Sequence, residues 1–576
     1  MINTNANTNA NTNAAGNLAF KAVLNNTMRN MLSILFHFGG RQFPVVVLLS
    51  LSAATCFGAA LSDKPLIDAV KRTDVKAVRS LLARHVDVNM SEADGFTALH
   101  AAAQRDSLEM ADLLIAAGAN VKVATRYNIP PLALACTNGS AAMIERLLRA
   151  GADPNSTSEQ GQTALMTAAL TGKVDAVKLL LAKGAKVNAA EPVKGQTALM
   201  WAASEGNTDS AGMLIEFGAD LKAKSKSGFT PLLFAVRNGR QETVQMLLAH
   251  GANVNDVGPD GTSALNVAVV NAYFELASVL LDHGADPNAP DPRGSALHTL
   301  AWLRKPGSDG GAGVGRKSYA PPVPTGNMTA LELTKALLQH GANPNVRIAW
   351  QEKKFDKEGG TVKNPPLIQL GRHFISFVGA TPFYIAAQNG DAPLMRLLVA
   401  GGAEAGADPK MPTVQGITPL MAAAGMGYWE GESPGPFTGC PEPERLEAVK
   451  LALELGNDIN AHADFGDYKM EGDAQYTLLY YPLNLAELTG KVLGDPRWSG
   501  STAIFGAIIS GQAGIVQYLV DHGAQVDAKT KLGWTPLMVA EGVFYANAKK
   551  EYPAAIAILK KAMLRQGLIA ETTARR

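Results

Sequence analysis

The chain has 576 residues, about four times the roughly 150 residues of an average domain, so several domains or an array of repeats is expected. Its 52 lysines and arginines nearly balance its 51 aspartates and glutamates, which gives a net charge of +1. Because nucleic-acid-binding proteins usually carry a strong basic field, we expect no nucleic-acid partner. With 47% hydrophobic but only 6% aromatic residues, the composition is that of a soluble protein rich in Ala and Gly.

The first 27 residues differ in composition from the rest of the chain. The stretch MINTNANTNANTNAAG repeats Asn, Thr and Ala, carries no charge and has almost nothing to bury. We predict that residues 1–27 form a disordered low-complexity leader. The alternative is that translation starts at Met28 or Met31, in which case this leader is not translated.

Residues 28–60 have the pattern of a secretory signal peptide. Arg29 and Arg41 precede the apolar run FPVVVLLSLSAAT, and small residues follow at 58–60. The run is shorter than the ~20 residues that a membrane-spanning helix requires. We therefore predict a cleaved signal peptide, a periplasmic or secreted protein, and no membrane span after cleavage. The alternatives are a retained N-terminal anchor and lipidation of Cys56, which lacks a branched apolar residue three positions upstream.

Glycines recur through the next part of the chain at a period of about 33 residues. One series lies at positions 95, 161, 195, 228, 261 and 294, and a second lies at 118, 151, 184, 218, 251 and 284. A spacing this constant indicates an array of repeats in which each repeat is one supersecondary unit.

The segment 161–188, GQTALMTAALTGKVDAVKLLLAKGAKVN, shows what one unit contains. Thr163 is a candidate N-cap for a first helix, Gly172 interrupts the chain, and Gly184 ends a second helix. Apolar residues recur at helical spacing in both helices. They are Leu165, Ala168, Ala169, Val174, Val177, Leu180 and Leu181. Each unit is thus predicted to be a helix hairpin with a short extended finger, and its apolar faces require neighbouring units to cover them.

These units resemble the ankyrin-repeat family. The family's T-P-L-H start is matched by TALH at 97–100, TALM at 163–166 and 197–200, TPLL at 230–233, and TPLM at 418–421 and 535–538, and its closing pattern by GADPN, GANVN and GAQVD. The resemblance implies an all-α ankyrin-repeat solenoid of about twelve helix-turn-helix units, with β-hairpin fingers and with insertions in the C-terminal half. The first unit lacks the closing glycine and is predicted to be an N-terminal cap. The family's histidine is retained only at His100 and His298, which predicts looser turns elsewhere.

The spacing divides the array into two parts. Residues 61–303 are predicted to form regular repeats, residues 304–568 to form repeats with long inserts, and residues 569–576 to form a C-terminal tail. The predicted inserts are residues 304–328, 347–378, 428–444, 465–499 and 543–553. Insertions in a solenoid form loops that often lie on the binding face.

The first insert contains GGAGVGRKS, which resembles a phosphate-binding loop but does not meet its requirements. A GxxxxGK[ST] loop needs a glycine directly before the lysine, and here Arg316 stands before Lys317. A strand should precede the loop and a helix should follow it, whereas a predicted helix precedes it and APPVP follows. We interpret this stretch as a Gly/Pro-rich connector, and we expect no cofactor.

Motifs for catalysis and metal binding are missing from the sequence. It contains no G-x-S-x-G, H-E-x-x-H or paired C-x-x-C. His250, His283, His340 and His522 each precede a closing glycine, one in each unit, which places neighbouring imidazoles too far apart to share a zinc ion. The acidic stretch 462–473 lacks the ligand order of an EF-hand and is interpreted as a solvated loop. We therefore predict no catalytic residue and no metal ligand.

Tyrosine and tryptophan concentrate in the part of the chain that carries the inserts. These side chains supply large contact areas with few torsions to freeze, which is why they are frequent at interfaces. The candidate partner-binding residues are Trp350, Tyr428, Trp429, Tyr468, Tyr476, Tyr480, Tyr481 and Trp498. The alternative is that these side chains anchor the inserts on the solenoid.

The resemblance to ankyrin proteins implies a function in binding. We expect a non-enzymatic scaffold, monomeric, that binds a partner protein on its concave surface and on its insert loops. Two alternatives stay open. One is an exported or cytosolic effector or adaptor that acts on a host protein, and the other is an enzyme whose site is built from the C-terminal inserts.

Overall fold

The computed structural model describes residues 64–289, 291, 294–304, 322–349, 377–401, 406–426, 441–464, 499–543 and 551–569. The predicted leader and signal peptide, and the larger part of every insert, lie outside these residues. Two compact units divide the chain at Asp68, and the first of them contributes only Lys64–Asp68 to the described part. The described residues from Ala69 onwards, with all of the helices that follow Pro65–Lys71, belong to the second unit.

The described residues form 24 α-helices in twelve consecutive pairs, which confirms the predicted fold class. We call the first helix of each pair inner and the second outer, and we number the pairs as units 1 to 12. The inner helices are α1 (Pro65–Lys71), α3 (Ala98–Gln104), α5 (Pro131–Asn138), α7 (Ala164–Thr171), α9 (Ala198–Glu205), α11 (Pro231–Arg237), α13 (Ala264–Val270), α15 (Ala296–Arg304), α17 (Pro382–Gln388), α19 (Pro419–Ala423), α21 (Ala503–Ile509) and α23 (Pro536–Ala540). The outer helices are α2 (Val75–Ala83), α4 (Leu108–Ala116), α6 (Ala141–Arg149), α8 (Val174–Ala182), α10 (Thr208–Glu216), α12 (Gln241–Ala249), α14 (Phe274–Asp282), α16 (Ala330–Gln339), α18 (Ala392–Ala400), α20 (Glu442–Glu454), α22 (Ala513–Asp521) and α24 (Pro553–Arg565). None of these helices is both long and apolar enough to span a membrane.

The inner helices begin where the sequence places their caps. The Thr163 hydroxyl accepts a hydrogen bond of 3.2 Å from the backbone N–H of Met166, which satisfies one of the free N–H groups of the first turn. The same cap occurs at Thr97, Thr197, Thr230, Ser263, Thr381, Thr418 and Thr535. Helix α20 begins at Glu442, within the predicted insert 428–444, because Pro441 and the acidic residues that follow it favour a helix start.

The outer helices end at glycines in the left-handed region. At Gly118 the φ angle is +90°, and Ala119 donates a hydrogen bond of 2.9 Å to the carbonyl of Leu114. A Cβ atom at Gly118 would meet nothing within 4 Å, so the backbone conformation and not crowding requires glycine there. In unit 1 the equivalent residue is His85, which adopts a φ angle of +58° despite its side chain.

Stacking of the units buries their small apolar residues. Each inner helix from α3 to α21 packs on the inner helix of the next unit, and each from α3 to α23 packs on the outer helix of its own unit. Ala168, Ala169, Ala202 and Ala203 are completely buried between neighbouring inner helices. Because these side chains are small, neighbouring helix backbones can approach closely, and every unit depends on its neighbours for burial.

A row of asparagines joins the turns that follow the outer helices. The side chain of Asn188 donates to the carbonyl of Gly218 at 3.0 Å and accepts from the backbone N–H of Asp220 at 2.8 Å. Each such asparagine thus bonds twice to the backbone of the following unit. The same pair of bonds is made by Asn89, Asn155, Asn255, Asn288, Asn345 and Asn460.

The fingers are turns between an outer helix and the next inner helix. In the described residues they contain no strand but close with isolated antiparallel bridges, such as that between Thr157 and Thr163. Neighbouring fingers also bond to one another, since the backbone N–H of Lys226 donates to the carbonyl of Lys194 at 2.8 Å. The fingers therefore form a continuous edge beside the inner helices.

The stack continues across the inserts. Asn288 donates to the carbonyl of Gly341 at 2.9 Å, although these residues are 53 positions apart. Arg304 at the end of α15 makes a bidentate ion pair with Asp391, with distances of 2.6 and 3.0 Å, and the Asp391 side chain is completely buried. The described residues on either side of each insert are thus in register with the regular units.

Candidate partner-binding surface

The fingers and the exposed side of the inner helices form one surface, which we call the inner face. How much of this face solvent can reach depends on the residue four positions after each N-cap, because the residues on either side of it point into the core. In units 3 to 7 this residue is half-buried, and in units 8 to 12 it is buried. The half-buried residues are Leu134, Thr167, Trp201, Phe234 and Val267, and the buried ones are Thr299, Ile385, Ala422, Gly506 and Val539. The accessible part of the inner face therefore lies in units 3 to 7.

The finger tips of the same units add exposed apolar side chains. Tyr127, Val193 and Val257 have exposed fractions of 50%, 63% and 45%. They belong to the fingers of units 3, 5 and 7, so they lie along the same edge. Exposed apolar groups that recur beside a half-buried apolar row are typical of an interaction surface.

An aromatic cluster lies near the middle of this surface. Phe229 ends the finger of unit 6, and its ring centroid is 5.8 Å from that of Phe234 on α11. The guanidinium of Arg237 lies over the Phe229 ring at 5.6 Å. On the neighbouring helix α9, the indole Nε1 of Trp201 is buried and has no hydrogen-bond partner in the part of the chain that the structure describes. Trp, Phe and Arg are the residue types that interfaces concentrate.

The finger of unit 5, residues 189–196, is one residue longer than its neighbours. Its bridge joins Ala190 to Thr197, seven positions apart, whereas the bridges that end at Thr97, Thr163 and Ser263 join residues six positions apart. The buried Glu191 carboxylate fills the loop and accepts backbone hydrogen bonds from Val193 at 2.7 Å and Lys194 at 2.8 Å. This support allows Val193 and Lys194 to project outwards on a fixed backbone.

The two retained motif histidines have a structural role. His298 accepts a hydrogen bond of 2.8 Å from the Ser295 hydroxyl at Nδ1, and its Nε2–H donates to the carbonyl of Ala380 in the next unit at 3.1 Å. Burial lowers the pKa of His298 to about 4, so the ring is neutral near pH 7. His100 makes the equivalent bond to the carbonyl of Ile129 at 2.9 Å, and burial lowers its pKa as well. Both rings therefore join units and are not exposed to a ligand.

The histidines that precede closing glycines contact groups of outer helices. His250, His283 and His522 each place Nδ1 at 2.8 Å from a carbonyl of their own helix, and His340 contacts Asp282 at 3.4 Å. The described ranges contain no group of three or more His, Cys, Asp or Glu residues arranged to hold a metal ion.

The predicted acidic loop is only partly described. His462 contacts the carbonyl of Gly500 at 2.7 Å, and Asp464 pairs with Lys531 at 3.1 Å. Asp467, Glu471 and Asp473 lie outside the described residues. The His462 contact lies within this finger, and the Asp464 contact joins the finger to the next one.

All eight aromatic residues predicted as partner contacts lie outside the described residues. They are Trp350, Tyr428, Trp429, Tyr468, Tyr476, Tyr480, Tyr481 and Trp498. The sequence analysis did not single out Trp201 and Phe234, which occupy the same position of adjacent units. Aligning the units on their N-caps would have revealed two large aromatic residues at a position that faces outwards.

Stacked helix pairs with capped starts, left-handed glycine ends and short fingers define a class of repeat protein. Models of ankyrin repeats match residues 21–125, 66–158, 132–225 and 213–291, and a model of a single ankyrin repeat matches residues 499–531. Together these matches cover more than half of the chain. The chain belongs to the ankyrin-repeat family.

Individual proteins add little to this assignment. One of many matching solved structures is the crystal structure of the human ASB11 ankyrin repeat domain, with 28% identity and a TM-score of 0.36. That match covers 39% of this chain and 99% of the human domain. No curated protein matches the chain.

Proposed function

We propose that this protein is a non-enzymatic scaffold that binds a partner protein on the inner face of units 3 to 7. Ankyrin repeats are generally protein-interaction scaffolds, which supports a binding function. The observation that carries the location is the half-buried row from Leu134 to Val267, apolar at every position except Thr167, beside the exposed finger tips. A partner that covers such a row is stabilised in the complex by roughly 25 cal/mol for each Å² of apolar surface removed from water.

Partner capture tests this location. We expect the double variant Trp201→Ala/Phe234→Ala to lose the proteins that co-purify with the wild-type chain from its source cells, measured by quantitative mass spectrometry. The matched control is Phe217→Ala, which removes an exposed aromatic ring at the end of an outer helix. Circular dichroism melting checks that each variant folds. Equal recovery of the same partners by wild type and by the folded double variant would refute binding at this location.

The insert loops form a second part of the proposal. Their aromatic residues, from Trp350 to Trp498, are proposed to extend the contact with the partner. Deletion of residues 347–378 and of residues 465–499, one at a time, tests this in the same capture experiment. If both deletions retain the full set of partners, the inserts are not part of the recognition surface.

Two other functions are tested separately. An enzyme built from the C-terminal inserts would need polar residues from at least two inserts to converge in one pocket, so deletion of either residues 347–378 or residues 465–499 would test for such an activity. An exported effector or cytosolic adaptor would bind a host protein, and the captured partners distinguish this case by their origin.

We also propose that the protein is exported after cleavage of a signal peptide. The support is the pattern of residues 28–60, with basic residues before a short apolar run. Cell fractionation and N-terminal sequencing test it, and we expect a mature chain that begins near Leu61 outside the cytosol. A cytosolic chain that begins at Met1 would contradict export and would leave the binding proposal unaffected.

A further inference from the structure

The fingers of units 5 and 6 expose charge of one sign. Residues 189–196 and 223–229 contain three lysines, Lys194, Lys224 and Lys226, and all three are exposed. The only acidic residue of these two segments is Glu191, which is buried and accepts hydrogen bonds from finger backbone N–H groups. The solvent-exposed charge of both fingers is therefore positive.

Hydrogen bonds fix these two fingers side by side. The backbone N–H of Lys226 donates to the carbonyl of Lys194, and the Lys226 ammonium contacts the carbonyl of Pro192. Val193, with an exposed fraction of 63%, lies between the two exposed residues Pro192 and Lys194. A binding partner would meet this apolar and basic edge in a form that needs little further ordering, which favours affinity.

Next to the fingers, the inner helices supply aromatic surface. Trp201 on α9 and Phe234 on α11 occupy equivalent positions of two helices that pack directly on each other. The Phe229 ring, at the base of the second finger, contacts Phe234 and so joins the finger edge to the helices. Aromatic surface beside exposed lysines is complementary to a segment that has both apolar and acidic side chains.

We propose that the fingers of units 5 and 6, together with α9 and α11, bind an extended acidic segment of the partner protein that carries a large apolar residue. The apolar side chain covers Trp201 and Phe234, and neighbouring carboxylates pair with Lys194 and Lys226. This inference rests on the proposed function and specifies the chemistry of the partner. A nucleic acid would also be acidic, but the net charge of +1 supplies no long-range field for it.

Selection from a displayed library of random peptides tests this chemistry with the full chain as bait. We expect the peptides bound by wild type, but not by the Trp201→Ala/Phe234→Ala variant, to be enriched in Asp and Glu around a Phe, Trp, Leu or Ile. Enrichment of neutral or basic peptides would overturn the inference. A short fluorescein-labelled single-stranded oligonucleotide is the competing probe, and tighter binding of this probe than of the selected peptides would also overturn it.

Charge-reversal variants then test whether Lys194 and Lys226 contribute to peptide binding. For the best selected peptide, labelled and followed by fluorescence anisotropy, we expect Lys194→Glu/Lys226→Glu to raise Kd at least about tenfold at low salt and by less near 0.5 M salt. The matched control, Lys178→Glu/Lys183→Glu, makes the same charge change at two exposed residues, one on the outer helix α8 and one directly after it, and should leave Kd within about twofold. Equal effects of the two variants would contradict the role of these lysines.

The two proposals fail in different ways. If Trp201→Ala/Phe234→Ala abolishes partner capture while Lys194→Glu/Lys226→Glu leaves it intact, the inner face binds the partner but the acidic segment is wrong. If neither variant changes capture, the proposed location itself fails.

Discussion

Single side chains join neighbouring units of this protein by bonds to backbone groups. The motif histidines and the row of asparagines both reach carbonyls of the following unit. Where the motif histidine is replaced by Met166, the thioether sulfur accepts only a 3.4 Å bond from the backbone of Thr163. A histidine at this position thus adds a hydrogen bond between units, and it also makes the junction sensitive to protonation.

The junction at His298 should weaken in acid. Its folded pKa of about 4 lies below the ordinary value of 6.5, so the unfolded chain takes up a proton between these values that the folded chain does not. Through this residue, the free energy of unfolding should therefore fall by on the order of 3 kcal/mol as the pH drops from 7 to 4. Below pH 4 the same residue should change it little.

His298→Met tests this, because methionine occupies the same position in units 4, 5, 10 and 12. Urea unfolding at several pH values between 4 and 8 is the measurement. We expect the variant to have a shallower pH dependence than wild type across that window. Parallel profiles of the two proteins would show that His298 is not responsible.

At the scale of the elements, backbone conformation decides how each helix ends. Closing glycines such as Gly118 have φ angles near +90°, and the same turn in unit 1 is made by His85. A side chain in the left-handed region costs about 1 kcal/mol relative to glycine. In unit 1, where the sequence lacks this glycine, the turn keeps the left-handed conformation, but its closing bond from the Val86 N–H to the Leu81 carbonyl lengthens to 3.4 Å.

His85→Gly should therefore stabilise the first described units by about 0.5–1 kcal/mol. The reverse change at the equivalent site, Gly118→Ala, should destabilise by a similar amount, because its Cβ atom would meet nothing within 4 Å and only backbone strain is added. Hydrogen exchange of α2 and α4 measures both effects. A destabilising His85→Gly would mean that the imidazole makes a contact worth more than the strain.

Much of the element structure could be predicted from the sequence, and for identifiable reasons. Thr163 and Gly184 mark helix ends through local hydrogen bonding and backbone freedom, which depend on few neighbours. The location of the candidate surface could not be predicted in this way. Trp201 is half-buried and Ile385 is buried although both stand four positions after an N-cap threonine, so the spacing of motifs does not predict the exposure of this position.

At the scale of the whole molecule, stability is expected to be a sum of contacts between neighbouring units. The ion pair of Arg304 and Asp391 is a strong example, since it joins units 8 and 9 across an insert. The Asp391 carboxylate also caps α18 by accepting from the backbone N–H of Leu394 at 3.2 Å. Loss of its partner would leave a buried charge at the start of a helix.

We expect Arg304→Met to destabilise α18 by about 3–5 kcal/mol because it leaves the buried carboxylate without this cation. The double variant Arg304→Met/Asp391→Asn should recover part of this loss, since a neutral amide can still cap the helix. Hydrogen exchange should show the effect in α17 and α18 and little change in α7 and α8. A uniform loss of protection along the chain would contradict nearest-neighbour stacking.

The asparagine row also bears on how such a chain can gain or lose repeat units during evolution. Each asparagine makes its two hydrogen bonds to main-chain atoms of the following unit, so these bonds do not depend on which side chains that unit carries. Duplication or loss of whole units would thus preserve every joint of this kind, while substitutions on the finger side could diverge freely. Ancestral copying of a single module, followed by separate specialisation of each copy, is compatible with this chemistry at every step.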